Sequence, residues 1–241
     1  MIKLIIQLTR ILLTIILALL AVSCVKFDGV KGTGNVISEN RNVANFTKIE
    51  AKTGLNVILE QGNSTVVKVD ADENLHQIIK TEVENGTLKI YADKSIYDAT
   101  SKTVFVKAPH FTSISVSSGA NVTSTNQIKE PNLELSTSSG SDLNIAITTD
   151  ALTCESSSGS NLQVKGVAKK VVASASSGSD LDLDELKAET VFADSSSGSS
   201  IQVNATEKLT AEASSGSSID CISKPAEISK NESSGGSISV K

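Results

Sequence analysis

Between Ser117 and Gly235 the tripeptide Ser-Ser-Gly occurs seven times, with its glycines at 119, 140, 159, 178, 198, 216 and 235. The spacings are 21, 19, 19, 20, 18 and 19 residues. A period near 20 sustained over seven copies marks a stacked repeat, in which each unit contacts mainly its neighbours. The third residue after every glycine is aliphatic: Val122, Leu143, Leu162, Leu181, Ile201, Ile219 and Ile238. The fifth is usually so, as in Ile145, Val164, Leu183, Val203 and Val240. Seven residues before the glycine stand Leu133, Leu152, Val171, Val191, Leu209 and Ile228, with Ala173, Ala193 and Ala211 two positions later.

This period-two alternation on both sides of a turn predicts two short strands per repeat, each with one face inward. Ser-Ser favours a turn, and the glycine permits positive φ there. One coil of about twenty residues buries too little to offset its own ordering, so it must bond to the coils on either side. The fold class expected is all-β, a right-handed parallel β-helix-like solenoid with coils of about 20 residues and an N-terminal β-rich region. Right-handedness follows from the strong preference of parallel crossovers for that hand.

Residues 1–23 read as a targeting segment: Lys3 and Arg10 supply positive charge, Ile11 to Val22 is apolar but for Thr14, and about a dozen apolar residues fall short of the ~20 that span a bilayer. Ala21-Val22-Ser23-Cys24 resembles a bacterial lipobox, which implies cleavage before Cys24 and lipidation of its thiol. Residues 24–31 then form a tether. Loss of Lys3 and Arg10 takes the formal charge from −5 to −7. Arg41 is the one arginine left and no basic run remains, which argues against nucleic acid as a partner.

Residues 32–110 form a strand-rich region of different texture, with runs at 35–38, 47–51, 55–59, 66–70, 88–92 and 104–107 parted by turn residues such as Gln61-Gly62-Asn63 and Asn85-Gly86. Asp72 to Ile79 has the pattern of a helix start. Pro109 marks the expected boundary with the repeat solenoid, 111–241, and the two parts can share one core. The first region is placed to cover the N-terminal edge. The last coil has only its turns, Lys230 and Lys241 to discourage edge-to-edge association.

Gly32-Thr-Gly-Asn-Val, Ala71-Asp-Glu-Asn-Leu, Thr81-Glu-Val-Glu-Asn-Gly-Thr-Leu-Lys-Ile and the serial turns ending in Gly236-Ser-Ile-Ser-Val-Lys241 together resemble the putative auto-transporter adhesin head (GIN) domain family. The resemblance covers about residues 32–241. It implies a Bacteroidetes cell-envelope protein, in many members a lipoprotein, with a β-helical fold, no recognised catalytic residues and a role in adhesion. Many members carry Gly-Ser-Gly-Asp at the turn, where this chain has Ser-Gly-Ser followed by Asp, Asn or Ser.

The chain's inventory opposes enzymatic readings. There are two histidines, His76 and His110, no Trp, no His-Glu-x-x-His, no Gly-x-Ser-x-Gly and no P-loop. The solenoid has no arginine to stand beside acidic calcium ligands as in polysaccharide lyases. No catalytic residue, metal site or cofactor is expected.

The candidate site is a polar ladder two places after each glycine: Asn121, Asp142, Asn161, Asp180, Ser200 and Ser218, continued by Ser237. Stacked coils place such residues in a row at about 4.8 Å intervals. Asp142, Asn161 and Asp180 have the oxygen chemistry of a calcium site, but Asx-type bonds to their own turns are the favoured reading. The Ser-Ser hydroxyls read as turn formers, with a glycan- or protein-binding edge as the other reading. Cys154 and Cys221 fall on inward parity three repeats apart, too far for a disulfide, and are expected free.

Together these features point to a non-enzymatic outer-membrane lipoprotein of a Gram-negative envelope, periplasmic or surface-exposed, that binds a protein or glycan as an adhesin or interaction module. The alternatives are a periplasmic or outer-membrane scaffold or sensor component that binds a protein partner and, further off, a glycan-active enzyme. Oligomeric state is not legible.

Overall fold

The computed structural model describes Gln7, Arg10 and residues 29–241. The expected lipidation site, Cys24, and most of the expected signal peptide and tether lie outside the described residues. The rest is a parallel β-solenoid of about seven turns with coils of about 19 residues.

Five coils are each made of a single strand: Asn121–Thr137, Asp142–Ser156, Asn161–Ala175, Asp180–Ser195 and Ser200–Ala213. Each pairs in parallel with the next. The expectation of two short strands per repeat is therefore corrected. Hydrogen bonding to the coils above and below continues round the bends, so one strand of 14–17 residues runs from turn to turn.

The uneven repeat spacing has a physical location. Thr123 faces Asn144, whereas Gln127 faces Ala146, so the extra length of that coil is shed in a bulge between Thr123 and Gln127. Similar shifts fall between Gln163 and Gly166 and between Leu183 and Lys187. Every length change is absorbed away from the Ser-Ser-Gly turn, and turn stays above turn.

The turns are built on two consecutive left-handed residues. The second serine of each, from Ser118 to Ser234, has φ of 47–56° and each glycine 66–80°. Positive φ at both central positions, with bonds such as Ala120 N to Ser117 O at 3.2 Å, is the pattern of a type I′ turn. Each glycine N–H but that of Gly235, in the last coil, then donates to the left-handed serine's carbonyl one coil on, as from Gly140 to Ser158 at 3.2 Å and from Gly178 to Ser197 at 3.1 Å.

The same geometry occurs without the tripeptide at Thr53-Gly54, with φ of 60° and 66°. Gly54 N–H donates to Ser118 O at 3.0 Å. Strands Lys48–Ala51 and Asn56–Gln61 flank this turn and pair in parallel with Ser113–Val116 and with the start of Asn121–Thr137. The sheet and the hydrophobic core, which runs from Phe46 to Ile238, continue unbroken across Pro109.

Beyond that coil lie Thr87–Ala92 and Lys102–Ala108, still parallel to it. Three antiparallel strands then close the stack. Ile79–Glu84 pairs with Thr87–Ala92 through the hairpin turn Asn85-Gly86, Val66–Asp72 pairs with Lys102–Ala108, and Val36–Arg41 pairs with Val66–Asp72. The helix expected from Asp72 is only a 3₁₀ turn, Glu73–Leu75. Ile78 N bonds back to Leu75 O at 3.0 Å and the chain enters the next strand at Ile79, which leaves no length for a further turn.

Candidate functional site

The strand segments after the turns together present one outer face. Asn121, Asp142, Asn161, Asp180, Ser200, Ser218 and Ser237 are successive partners in register across it. The column extends back through Asn56 to Thr103 in the first coils. Asn121, Asp142, Asn161 and Asp180 are exposed and Ser200 and Ser218 half-buried. The ladder is a row of solvated side chains, with one weak contact at 3.4 Å between Ser218 Oγ and Ser200 Oγ.

A parallel column two residues further along carries a denser network. Asn144 Nδ2 donates to Gln163 Oε1 at 2.6 Å, and Gln163 Nε2 donates to Asp182 Oδ2 at 3.4 Å. Each amide here has a carbonyl and an NH₂ group, so the row offers donors and acceptors alternately. At the bend beyond it, burial raises the Asp184 carboxyl above the ordinary range, with further upward pushes from Asp182 and Glu185.

The Asx-type bonds expected of the ladder are not made: among the described residues no side chain at 121, 142, 161 or 180 bonds to its own turn. In the five middle turns the serine directly after the glycine takes that role. Ser141, Ser160, Ser179, Ser199 and Ser217 are buried. Each Oγ accepts the N–H of the first turn serine, as in Ser138 N to Ser141 Oγ at 3.2 Å and Ser196 N to Ser199 Oγ at 3.2 Å. Several donate to the coil before, as Ser179 Oγ does to Ser156 O at 2.8 Å and Ser217 Oγ to Ser195 O at 2.7 Å. The signal was in plain sight: the Ser-Ser pair draws the eye, but the serine after the glycine recurs five times in succession.

Both histidines are tied into the first coils. His76 is buried, its Nε2 lying 3.1 Å from both Ile37 O and Ala71 O, while Arg41 Nη2 donates to His76 O at 2.9 Å. His110 Nδ1 lies 3.1 Å from buried Glu130, which also accepts the Phe111 N–H and a Gln61 Nε2 bond. Cys154 and Cys221 are buried and free, as expected from their register, and burial pushes the Cys154 thiol up. Among the described residues there is no cluster of three His, Cys, Asp or Glu suited to a metal ion, and no helix long and apolar enough to cross a membrane.

Several solved structures share this architecture. A putative adhesin from Bacteroides fragilis aligns with a TM-score of 0.83 at 22% identity, covering 88% of this chain and 100% of its own. A putative lipid binding protein from Parabacteroides distasonis aligns at 0.74 and 21%, covering 89% of this chain and 100% of its own. A putative adhesin from Parabacteroides merdae aligns at 0.71 and 18%, covering 89% and 99% respectively. At such identities the likeness shows the fold. No curated protein shows significant sequence similarity to this chain. The family model described as "Putative auto-transporter adhesin, head GIN domain" matches residues 45–225, three quarters of the sequence, and the chain belongs to that family.

Proposed function

We propose that the protein is a non-enzymatic adhesin of the bacterial cell envelope, anchored by a lipid on Cys24 and displaying the solenoid as a rigid interaction module. The observation that carries this reading is the outer face. Its polar columns stand in register from Thr103 to Ser237, exposed or half-exposed, on a scaffold whose turns are hydrogen-bonded from coil to coil. A pre-ordered surface loses little entropy on binding, which suits capture of an extended partner. The lipobox-like Ala21-Val22-Ser23-Cys24 supplies the anchor, and the names of the structural neighbours agree with an adhesive role.

Protease shaving of intact cells tests the reading. Loss of the protein from wild-type cells, together with fatty-acid-analogue labelling that disappears in Cys24→Ala, is the expected result. A protein protected in intact cells and cleaved only after outer-membrane permeabilisation overturns the surface role.

A further inference from the structure

The outer face is not uniform along its length, and its N-terminal end carries a cleft. The column through Asn144 and Gln163 continues in register to Thr123, then Ile58, Phe105 and Lys68. Around those last strands lies a cleft of about 330 Å³, at the lower end of the ~300–1,000 Å³ typical of small-ligand sites. Ile58, Val66 and Phe105 supply its apolar surface, and Val66 is 45% exposed on a sheet face whose other exposed positions are overwhelmingly polar. Lys68 lies 4.5 Å from the Phe105 ring centroid.

The cleft's charges are matched in pairs. Lys68 Nζ bonds Asp70 at 2.9 Å, and Lys107 Nζ bonds Glu60 at 2.7 Å. No uncompensated cation waits for a phosphate or carboxylate, and no uncompensated carboxylate waits for a base. What the rim offers is donors and acceptors together beside an apolar floor. The track leading away from it repeats that offer through Asn144, Gln163 and Asp182, with a new strand about every 4.8 Å.

We propose that this cleft and the amide track beyond it bind a neutral oligosaccharide. The chemistry matches on both counts. A pyranose presents apolar C–H groups on one side and hydroxyls, each donor and acceptor, around its rim. A linear chain of such units laid across the strands meets paired charges at the cleft and then carboxamides along the track. This rests on the adhesin reading for its biological setting but not for its geometry.

The test uses the full chain with cellohexaose and mannohexaose as probes, read by isothermal titration and by amide shift mapping. Binding of at least one hexaose is expected, with shifts at residues 58, 66 and 105. Val66→Asp, which replaces exposed apolar surface of the cleft with a carboxylate opposite Lys107, should weaken binding at least tenfold. Gln163→Ala should weaken it about threefold for the hexaose and leave binding of the matching disaccharide, cellobiose or mannobiose, unaffected. Binding of neither hexaose, binding confined to a heparin-derived oligosaccharide or to anionic phospholipid vesicles, or affinity indifferent to Val66→Asp each overturns the proposal. Sugar binding by a protein that shaving finds protected keeps this inference and removes the surface role; shaved, adherent cells without sugar binding do the reverse.

Discussion

The two ends of the solenoid solve the same problem differently. At the N-terminal end the chain doubles back: antiparallel strands Val36–Arg41, Val66–Asp72 and Ile79–Glu84 cover the first coils, and single long-range clasps hold them. At the C-terminal end nothing in the described residues folds over the last coil, and strand Glu227–Glu232 is exposed along its whole length. There the inward positions themselves change. Lys230 and Glu232 occupy the places filled by Ala211 and Ala213 one coil earlier. Lys230 Nζ donates to Ile238 O at 3.2 Å, and Glu232 Oε1 accepts the Ile238 N–H at 2.6 Å, so both reach across the end of the core. Inward-pointing charge is a recognised way to stop an edge from recruiting another chain. Interior coils are held by neighbours like themselves, whereas an end needs either extra chain or charge.

The harshest way to break that comparison is to damage the interior. Gly166 has φ of 124°, and a Cβ there would lie 2.0 Å from Ile147 O in the coil before. Gly166→Ala should cost at least ~3 kcal/mol, since both the backbone conformation and the coil-to-coil approach exclude a side chain. Gly178→Ala is the control: φ is 68° but a Cβ would meet nothing within 4 Å, so the left-handed penalty of about 1–2 kcal/mol applies, less the roughly 0.5–1 kcal/mol that glycine loses through its freedom when unfolded. Thermal unfolding followed by circular dichroism ranks the two, and equal melting temperatures would remove the close-approach argument.

Next in size is the N-terminal clasp. The Asp72 carboxylate is fully buried and accepts N–H bonds from Gly34 at 2.8 Å, Ser101 at 2.9 Å and Thr100 at 3.4 Å, tying the leading segment to the loop before Lys102–Ala108. Burial works against its charge, but these backbone donors outweigh it and hold the carboxyl below its ordinary value. Asp72→Ala should cost about 2 kcal/mol by orphaning those donors. A carboxyl depressed in the folded state contributes stability that is fully present above its unfolded value, near 3.9, and is lost as pH falls through the folded one. Denaturant midpoints should therefore fall below about pH 4 in the wild type and fall less in Asp72→Ala. Hydrogen exchange should quicken in residues 30–41 of the variant and hardly change in residues 180–213. Uniform quickening would mean that the ends are not separable from the interior.

The C-terminal device makes a prediction about assembly more than stability. Lys230→Ala with Glu232→Ala restores the residues of the preceding coil and removes both inward charges. Sedimentation velocity is then expected to show concentration-dependent dimers for the double variant and a monomer for the wild type. A monomeric double variant would mean that exposed backbone alone, without an apolar end, does not suffice.

What the sequence reveals follows the same division. The stack, its register and the inward cysteines were legible because each rests on a column of like residues. Leu143, Leu162 and Leu181 report one another, and so do Asn121, Asp142 and Asn161. The end structures were not, because each is made once. Thr53-Gly54 forms the repeat's turn without its tripeptide, and Asp72 looks like a helix cap while serving as a clasp between segments distant from it in the chain on either side. The apolar cleft was hidden for the same reason. Val66 and Phe105 come from well-separated parts of the chain, on strands that pair antiparallel, and no local period joins them.

The smallest expected effect separates interior from end most finely. Ser177 holds φ of 56° in the turn before Gly178, its side chain is exposed, and its hydroxyl makes no hydrogen bond among the described residues. A left-handed conformation costs an L-residue about 1–2 kcal/mol relative to glycine, and glycine loses roughly 0.5–1 kcal/mol of that gain through its extra freedom when unfolded. Ser177→Gly should therefore stabilise by about 0.5–1 kcal/mol and raise the melting temperature. Ser234, with φ of 47°, sits at the same place in the last coil, which pairs on one side only. That coil opens before the stack does, because terminal segments with few neighbours unfold locally at low cost. Ser234→Gly should thus slow hydrogen exchange across residues 227–240 while leaving the melting temperature within error. A Ser234→Gly variant that raises it as much as Ser177→Gly would show that the last coil unfolds with the whole, and that inward charge closes an end as firmly as three added strands.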